Sequence, residues 1–325
     1  LKNIQYRMKK VLITGGSGFF GFHLASELSK NYIVDIIDNF SRGKFDGEFK
    51  RLINKKNVNL IKLDLKKKVK IKKLNYNYIF HLAATIGVVN VINNPWDVLN
   101  NNFLSTNNII EFAKKQKKLK KFFFASTSEV YAGALSAGLL KFPTKENQLI
   151  ALSSFDSSRS TYMLSKIYGE VMCHFSKLPY IIIRPHNIFG ERMGMSHVIP
   201  EIIKKIVISK KSIKVSNHNH KRTFCYIDDA VKLTKALMKN RKLTNQTYNL
   251  SDSRKEIRIS DLARSLIKIS QKKLKIINFA DKNQSPKRRL ANNSKILKVT
   301  KYKFNSNFED NLKKTFKWYE KNIAI

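Results

Sequence analysis

Cysteine is scarce in this chain, and its scarcity excludes a disulfide framework. The two cysteines, Cys173 and Cys225, form no Cys-x-x-Cys pair and no Cys/His spacing that would hold a metal. The chain also has no apolar stretch near the roughly 20 residues that a membrane span needs, and residues 1–10 lack the apolar centre of a signal peptide. We therefore expect a soluble, cytoplasmic protein with no metal site and no membrane partner.

Acidic residues are few as well. The chain has 23 aspartates and glutamates against 63 lysines and arginines, which gives a formal net charge of +40. Such an excess suggests nucleic-acid binding, because clustered basic residues release counterions from a phosphate backbone. Arginine, however, supplies 13 of the 63 basic residues, and the lysines are spread through every segment. This distribution is typical of solvated surfaces, so we expect no nucleic-acid partner, although the charge would attract anionic substrates.

The apolar segments of the first half alternate between strand and helix patterns. With 42% hydrophobic residues, the 325-residue chain can bury a large core. Strands are predicted at 9–14, 32–38, 78–84, 121–126 and 180–185, and helices at 19–30, 98–117 and 161–176. The alternation predicts an α/β fold, with a Rossmann-type doubly wound parallel sheet over 1–185. Irregular patterns beyond Pro185 predict a smaller C-terminal α/β substrate-binding domain over 186–325, with some chain crossing back to the first domain.

A glycine-rich turn follows the first predicted strand and opens the first predicted helix. Gly15, Gly18 and Gly21 give the pattern G-x-x-G-x-x-G, in which backbone amides at a helix start can approach a pyrophosphate. Asp38 ends the second predicted strand, where a carboxylate can bond the adenosine ribose hydroxyls and repel a 2′-phosphate. This favours NAD over NADP as the cofactor, whereas Arg42, four residues further on, could instead hold a phosphate.

The strongest chemical signal is the Y-x-x-x-K pattern of Tyr162 and Lys166, which a helix would place on one face. An ammonium beside a phenol stabilises the phenolate, so Lys166 is expected to lower the pKa of Tyr162 and make it a usable base near neutral pH. The segment from Ser126 to Ser128 ends the preceding strand, where parallel sheets place reacting groups. We therefore predict a proton-transfer site that combines Tyr162 and Lys166 with this strand end.

Four further motifs accompany these in order along the chain. They are Asp64-Leu65, His81-Leu82-Ala83-Ala84, Ser126-Thr127-Ser128-Glu129-Val130-Tyr131 and Arg184-Pro185-His186-Asn187-Ile188-Phe189-Gly190. Over nearly its whole length the chain resembles the NAD-dependent epimerase/dehydratase family. The resemblance implies that the three glycines hold the pyrophosphate of NAD, that Asp64 and Leu65 flank the adenine, and that Thr127, Tyr162 and Lys166 form the catalytic trio. It adds to the cofactor site Phe19, Phe20, Asn39, Leu82, Ala83, Ala84, Asn102 and Pro185.

The resemblance also implies a nucleotide-sugar substrate, expected to be a UDP-sugar, and a homodimer formed through the helices near 98–117 and 161–176. Guanidinium groups bind diphosphate oxygens in pairs, which suits arginines to such a substrate. The implied substrate contacts are Ser128, Asn187, Arg192, Val198, Arg222, Tyr226, Arg288 and Arg289.

Glu129 bears on which reaction is implied. In the family, carbon 4 of the sugar becomes a ketone, with Tyr162 as base. The sequence Thr127-Ser128-Glu129 is similar to the T-S-E of UDP-glucuronate decarboxylases and of some 4,6-dehydratases, whereas epimerases usually have small neutral residues there. The resemblance favours a decarboxylating or dehydrating lyase with Glu129 catalytic. Alternatives are a UDP-sugar 4-epimerase, in which Glu129 would only pair with a basic residue, and, more remotely, a non-catalytic NAD-binding or a nucleic-acid-binding protein.

Three segments depart from the family pattern. Ala132 stands where glycine is common, residues 132–160 are long and carry no clear pattern, and Gly190-Glu191-Arg192 replaces the usual Gly-Pro-Arg. All three would border the sugar pocket, so they bear on the substrate rather than on the fold.

Overall fold

A seven-stranded parallel sheet forms the centre of the molecule. The computed structural model describes residues 8–72, 75–152, 154–279 and 286–323. From one edge to the other, its strands are Gln246–Leu250, Tyr180–Pro185, Lys121–Ala125, Tyr78–His81, Lys10–Thr14, Ile33–Asp38 and Val58–Lys62, and every pairing in this sheet is parallel. The predicted Rossmann-type α/β fold is therefore confirmed. The elements of the first half are β1 Lys10–Thr14, α1 Phe19–Leu28, β2 Ile33–Asp38, α2 Gly47–Ile53, β3 Val58–Lys62, β4 Tyr78–His81, α3 Val88–Asn93, α4 Pro95–Lys114, β5 Lys121–Ala125, a 3-10 turn Ser128–Tyr131, α5 Ala132–Ser136, α6 Ser158–Phe175 and β6 Tyr180–Pro185.

The second half contributes three small sheets and five helices in the described ranges. Ile188–Phe189 pairs with Cys225–Tyr226 in one sheet, Lys221–Arg222 lies between Ile257–Arg258 and Arg288–Arg289 in a second, and Lys275–Phe279 pairs with Ser212–Ser216 in a third. The elements are β7 Ile188–Phe189, α7 Val198–Ile208, β8 Ser212–Ser216, β9 Lys221–Arg222, β10 Cys225–Tyr226, α8 Ile227–Lys239, β11 Gln246–Leu250, β12 Ile257–Arg258, α9 Ile259–Ser270, β13 Lys275–Phe279, β14 Arg288–Arg289, α10 Ser294–Thr300 and α11 Phe308–Asn322. Strand β11, from this half of the chain, extends the main sheet beside β6.

Both faces of the main sheet are covered. Along β1 the side chains alternate: Val11 and Ile13 belong to one buried apolar cluster, and Leu12 belongs to another. A sheet buried on both faces needs near-continuous apolar strands, which is what the sequence shows. None of the helices in the described ranges is long and apolar enough to cross a membrane.

Strand β4 is shorter than predicted, ending at His81 instead of residue 84. The Leu82 amide makes a last bond to the Thr14 carbonyl at 3.2 Å, and beyond it the amides of Leu82 and Ala83 donate to Thr14 Oγ1 at 3.2 and 3.3 Å. The chain is thereby turned at the carboxyl edge of the sheet, next to the glycine-rich turn.

Candidate functional site

The glycine-rich turn lies at the carboxyl edge of β1, where it leaves no room for side chains. Gly15 has φ +73°, and a Cβ there would lie 2.8 Å from the Ala83 nitrogen. A Cβ at Gly21 would lie 2.2 Å from the Gly15 carbonyl oxygen. The hydroxyl of Ser17 is buried without a partner among the described residues. A close-packed turn at a helix start, with an unsatisfied polar group beside it, fits the pyrophosphate of a dinucleotide.

Asp38 holds this turn against the end of β2. It is 8% exposed, and its two oxygens accept from the amides of Ser17 at 2.9 Å and Phe40 at 2.8 Å. Asn39 and Arg42 follow at the exposed start of the next segment. The carboxylate thus lies where the sequence placed it, and its contact with a ribose stays a prediction.

The other proposed cofactor residues surround the same edge. Asn102 is 3% exposed and accepts from the Thr85 amide at 2.7 Å while its Nδ2 donates to Ser165 at 3.1 Å. It therefore ties the turn after β4 to helix α6. On the far side, Leu65 is buried and its carbonyl accepts from Asn108 at 2.8 Å. Four further members of the set are partly buried at the sheet edge or at the start of α1: Phe19, Phe20, Asp64 and Pro185.

Tyr162 and Thr127 are joined by a hydrogen bond across the gap between α6 and the end of β5. Burial raises the pKa of Tyr162 to about 12, against the opposing effects of this hydrogen bond and of the Arg42 charge. Lys166, one turn along the helix, donates to the Ala125 carbonyl at 2.8 Å and lies 5.0 Å above the Phe124 ring. Burial lowers the pKa of Lys166 to about 8.

The expectation that Lys166 brings the pKa of Tyr162 below its ordinary value is wrong for this structure. Desolvation of the phenol outweighs the favourable charges, and the Lys166 ammonium is engaged with a carbonyl. The spacing predicted that the two residues share a helix face, but it could not show how far the surrounding segments exclude water from that face.

Glu129 faces a group of arginines that the sequence keeps far apart. Arg289 Nη1 lies 2.7 Å from Glu129 Oε1. Arg222 and Arg289 are register partners on the parallel strands β9 and β14. Burial alone would raise the pKa of Glu129, but the charges of Arg289, Arg159 and Arg222 hold it below its ordinary value. This arginine group, Arg159, Arg222 and Arg289, can bind either carboxylates or phosphate oxygens.

Arg159 is a member that sequence reasoning missed. It precedes Tyr162 by three residues on the same helix, so an i, i+3 relation to the predicted base was the available signal. Arg222 donates to the carbonyls of Lys221 and Pro286, and burial lowers its pKa to about 10.

Other predicted substrate contacts have different partners in this structure. Arg192 Nη1 lies 2.6 to 2.9 Å from oxygens of Asp46 and Glu48, so its place in the sugar pocket stays a prediction. Arg288 bonds Glu256 through two nitrogens, at 2.8 and 3.0 Å. The sequence could not show these pairings, because each partner comes from a distant part of the chain.

Four polar or apolar positions complete the predicted set. Tyr226 donates its hydroxyl to Glu191 at 3.0 Å. Asn187 has φ +41° and donates to the Thr223 carbonyl at 3.0 Å. Val198 begins α7. Ser128 lines a small cavity that also has Tyr131, His186, Arg288 and Arg289 in its walls.

The buried ion pair of Glu170 and Arg184 contacts both ends of the segment from Ser126 to Tyr131, which contains Thr127 and Glu129. Glu170 binds Arg184 through both oxygens, at 2.8 and 2.6 Å. The same carboxylate accepts from Ser126, just before Thr127, and Arg184 donates to Tyr131, at the end of the turn that holds Glu129. Because Glu170 lies on α6 with Tyr162, one ion pair connects three elements that carry proposed reacting groups.

Comparison with known proteins agrees with this geometry. Residues 11–251 match the family model described as "NAD dependent epimerase/dehydratase family". The chain is 30% identical to the UDP-N-acetyl-alpha-D-glucosaminuronate decarboxylase of Bacillus cytotoxicus, over 96% of this chain and 98% of that protein. The structure resembles a UDP-N-acetylglucosamine 4-epimerase from Methanobrevibacter ruminantium (TM-score 0.84, 25% identity, 97% and 99% coverage). It also resembles a UDP-glucuronic acid 4-epimerase from Bacillus cereus, solved with UDP-glucuronic acid and NAD (TM-score 0.83, 26% identity, 97% and 100% coverage). The chain therefore belongs to the NAD-dependent epimerase/dehydratase family of nucleotide-sugar enzymes, and its cofactor is NAD.

Proposed function

We propose that this protein is a nucleotide-sugar lyase that removes carbon dioxide from a UDP-linked hexuronate through a 4-keto intermediate. The observation that carries the proposal is the Glu129 carboxylate within the arginine group, beside the hydrogen-bonded Tyr162 and Thr127. Support also comes from the decarboxylase of Bacillus cytotoxicus, which matches over nearly the whole of both chains.

In this proposal Tyr162 is the base for the hydroxyl on carbon 4, Thr127 orients that oxygen, and Lys166 supplies positive charge behind them. When bound, NAD supplies the reversible oxidation of carbon 4. Gly15, Gly18 and their neighbours would hold its pyrophosphate.

Loss of carbon dioxide follows from the chemistry of the ketone. A 4-keto-uronate is a β-keto acid, so the bond between carbon 5 and the carboxyl carbon can break while its electrons move to the oxygen on carbon 4. Tyr162 then carries the proton that it removed and can stabilise the enolate oxygen. Carbon 5 must next receive a proton, which solvent supplies, and we assign the Glu129 carboxylate to orient the water that delivers it; Tyr162 returns its own proton to the oxygen on carbon 4 when the ketone is reduced again.

The arginine group serves the anionic parts of the substrate. Arg222 and Arg289 lie side by side on neighbouring strands, which suits the diphosphate. Arg289 also binds Glu129, so a substrate anion would compete for the same guanidinium. A purely structural Glu129–Arg289 pair is the alternative, and the experiment must distinguish the two.

The test combines product analysis with one substitution. A panel of UDP-sugars, with and without a carboxyl group at carbon 5, is incubated with protein and NAD, and products are identified by mass spectrometry. Loss of carbon dioxide is the expected result. Loss of water would instead indicate a 4,6-dehydratase, and an isomer of unchanged mass would indicate an epimerase.

Glu129→Gln then separates a catalytic carboxylate from a structural one. With the best substrate, NADH absorbance should accumulate in the variant while final product falls by about 100-fold. Glu256→Gln is the matched control, because Glu256 makes the corresponding ion pair with the adjacent Arg288. Normal turnover of Glu129→Gln without accumulated NADH contradicts the lyase proposal.

A UDP-sugar 4-epimerase is the second candidate. It is favoured by the two 4-epimerase structures that align with at least 97% of this chain at 25% and 26% identity. Such an enzyme needs Tyr162 and Thr127 but gives no chemical role to Glu129.

We also propose a homodimer, with a second copy on the face formed by α4 and α6. The Phe103 and Tyr168 rings pack across these helices with their centroids 4.6 Å apart, while Val171 and Phe175 are 47% and 83% exposed. Val171→Glu should shift the protein towards monomer in sedimentation, whereas Ile208→Glu, at an exposed apolar residue elsewhere, should not. A cytoplasmic location and the domain division at residue 185 stay predictions.

A further inference from the structure

The segment between β2 and α2, residues 39–46, lies directly against the glycine-rich turn, and we call it the strap. Its first anchor is Asp38, whose carboxylate bonds both the Ser17 and Phe40 amides. The backbone at Gly43 packs directly against Ser17, because a Cβ added at Gly43 would lie only 1.7 Å from Ser17 Oγ. The strap therefore covers the turn that fits the pyrophosphate of NAD.

Arg42 shows which way the middle of the strap faces. A Cβ at Gly194, in the segment after β7, would lie 3.4 Å from Arg42 Nη2. The Arg42 charge also acts on Tyr162, at the other side of the cleft. The strap thus runs between the glycine-rich turn, the proposed base and the second half of the chain.

The far end of the strap is joined to that second half by Arg192. Its Nη1 lies 2.7 and 2.6 Å from the two oxygens of Asp46 and 2.9 Å from Glu48 Oε2. The guanidinium lies 4.1 Å over the Phe22 ring. The Arg192 side chain is 2% exposed, while Asp46 and Glu48 are 36% and 35% exposed.

These contacts differ from those of ordinary surface ion pairs, which contribute little. Arg192 is desolvated, meets three carboxylate oxygens and stacks on an aromatic ring, and each of these features strengthens a guanidinium contact. Glu48 is held in turn by the Trp318 indole, which donates to its Oε1 at 3.0 Å. The ion pair therefore connects the strap, the segment after β7 and the C-terminal helix α11.

We propose that Arg192 latches the strap over the bound dinucleotide, so that its ion pairs with Asp46 and Glu48 control how fast NAD exchanges. Arg192 acts here as a positioning residue. The inference rests on NAD as cofactor and not on the lyase proposal, and it differs from the sugar contact that the sequence suggested for Arg192.

The test removes the negative charges of Asp46 and Glu48, the two exposed partners of Arg192. In the double variant Asp46→Asn and Glu48→Gln, the amide oxygens preserve the N-cap of α2, which Asp46 makes to the Phe49 amide, and the acceptor for Trp318. NADH is loaded, and its release into excess NAD is followed by stopped-flow fluorescence. Release should become about tenfold faster or more, because the strap could then move off the dinucleotide without breaking a desolvated ion pair. Arg192→Leu should have the same effect.

Arg254→Gln is the matched control. Arg254 pairs with Asp252 at 2.8 Å and stacks on Phe304 at 4.7 Å, but its side chain is 47% exposed. Its substitution should leave NADH release within about twofold of the unaltered protein. Urea unfolding of each variant without NADH separates a latch from a merely structural contact, which would lower stability and leave release unchanged.

Release within about twofold of the unaltered protein in the double variant overturns the proposal, whatever Arg192→Leu does. A raised KM for the sugar with unchanged NADH release would return Arg192 to the substrate site and would also overturn it. Neither result depends on which product the enzyme makes.

Discussion

Replacing Lys166 with methionine should make the NAD-free protein more stable, although it removes a residue that we place in the catalytic site. Lys166 is 4% exposed, and burial lowers its pKa from 10.5 to about 8. The folded protein therefore holds this proton less tightly than the unfolded chain does. Between these two pKa values the unfolded state binds more protons, so the contribution of this group to stability rises with pH in that window.

The size of the effect follows from the same values. At about 1.4 kcal/mol per pKa unit, the difference corresponds to about 3 kcal/mol of destabilisation below pH ~8. Methionine cannot make the hydrogen bond that Lys166 donates to the Ala125 carbonyl, and this loss reduces the gain in stability by about 1 kcal/mol. We expect Lys166→Met to be about 2 kcal/mol more stable near pH 7, with the advantage nearly gone by pH ~9.5.

Urea unfolding followed by circular dichroism at these two pH values measures the difference, with NAD removed from both proteins. Lys117→Met, at an exposed lysine, is the control and should show no such change between the two pH values. If Lys166→Met is less stable than the unaltered protein near pH 7, or if its advantage does not shrink as the pH rises, then burial of the ammonium is not what sets the stability here.

Three further results are expected. Tyr162→Phe should lower turnover by about 100-fold or more while calorimetry finds NAD binding nearly unchanged, and near-normal turnover would exclude Tyr162 as the base. NAD(H) should bind more tightly than NADP(H) in calorimetry, because Asp38 repels a 2′-phosphate, and the reverse order would make Arg42 the dominant contact. Glu170→Gln should reduce the apparent free energy of unfolding by about 3–5 kcal/mol, because Arg184 stays buried without its counter-charge. Asp261→Asn, which breaks an exposed pair with Arg264, should change it by less than about 0.5 kcal/mol in the same urea titration.

Local patterns predicted five of the seven strands of the main sheet, and the parts of the site that lie within one segment. Apolar strands alternating with helices predicted β1, β2, β4, β5 and β6. They did not predict β3 and β11, because these two strands form the edges of the sheet and lack a continuous buried apolar run. Gly15 and Gly21 were predicted from the G-x-x-G-x-x-G spacing at a helix start, and the structure adds that a Cβ at either position would clash with nearby backbone. Tyr162 and Lys166 share a helix face for the same kind of reason, since four residues make about one turn.

Contacts between distant segments were decided by the tertiary structure. Glu129 meets Arg289 because β14 pairs with β9 beside the catalytic turn, and nothing local to either residue indicates that pairing. Arg192 pairs with Asp46 and Glu48, which lie more than 140 residues away in the sequence. The direction of the Tyr162 pKa was decided in the same way, because desolvation depends on which segments surround the phenol. A sequence determines which side chains are available and which faces they share along one element, whereas partner choice and burial arise only when separate elements pack.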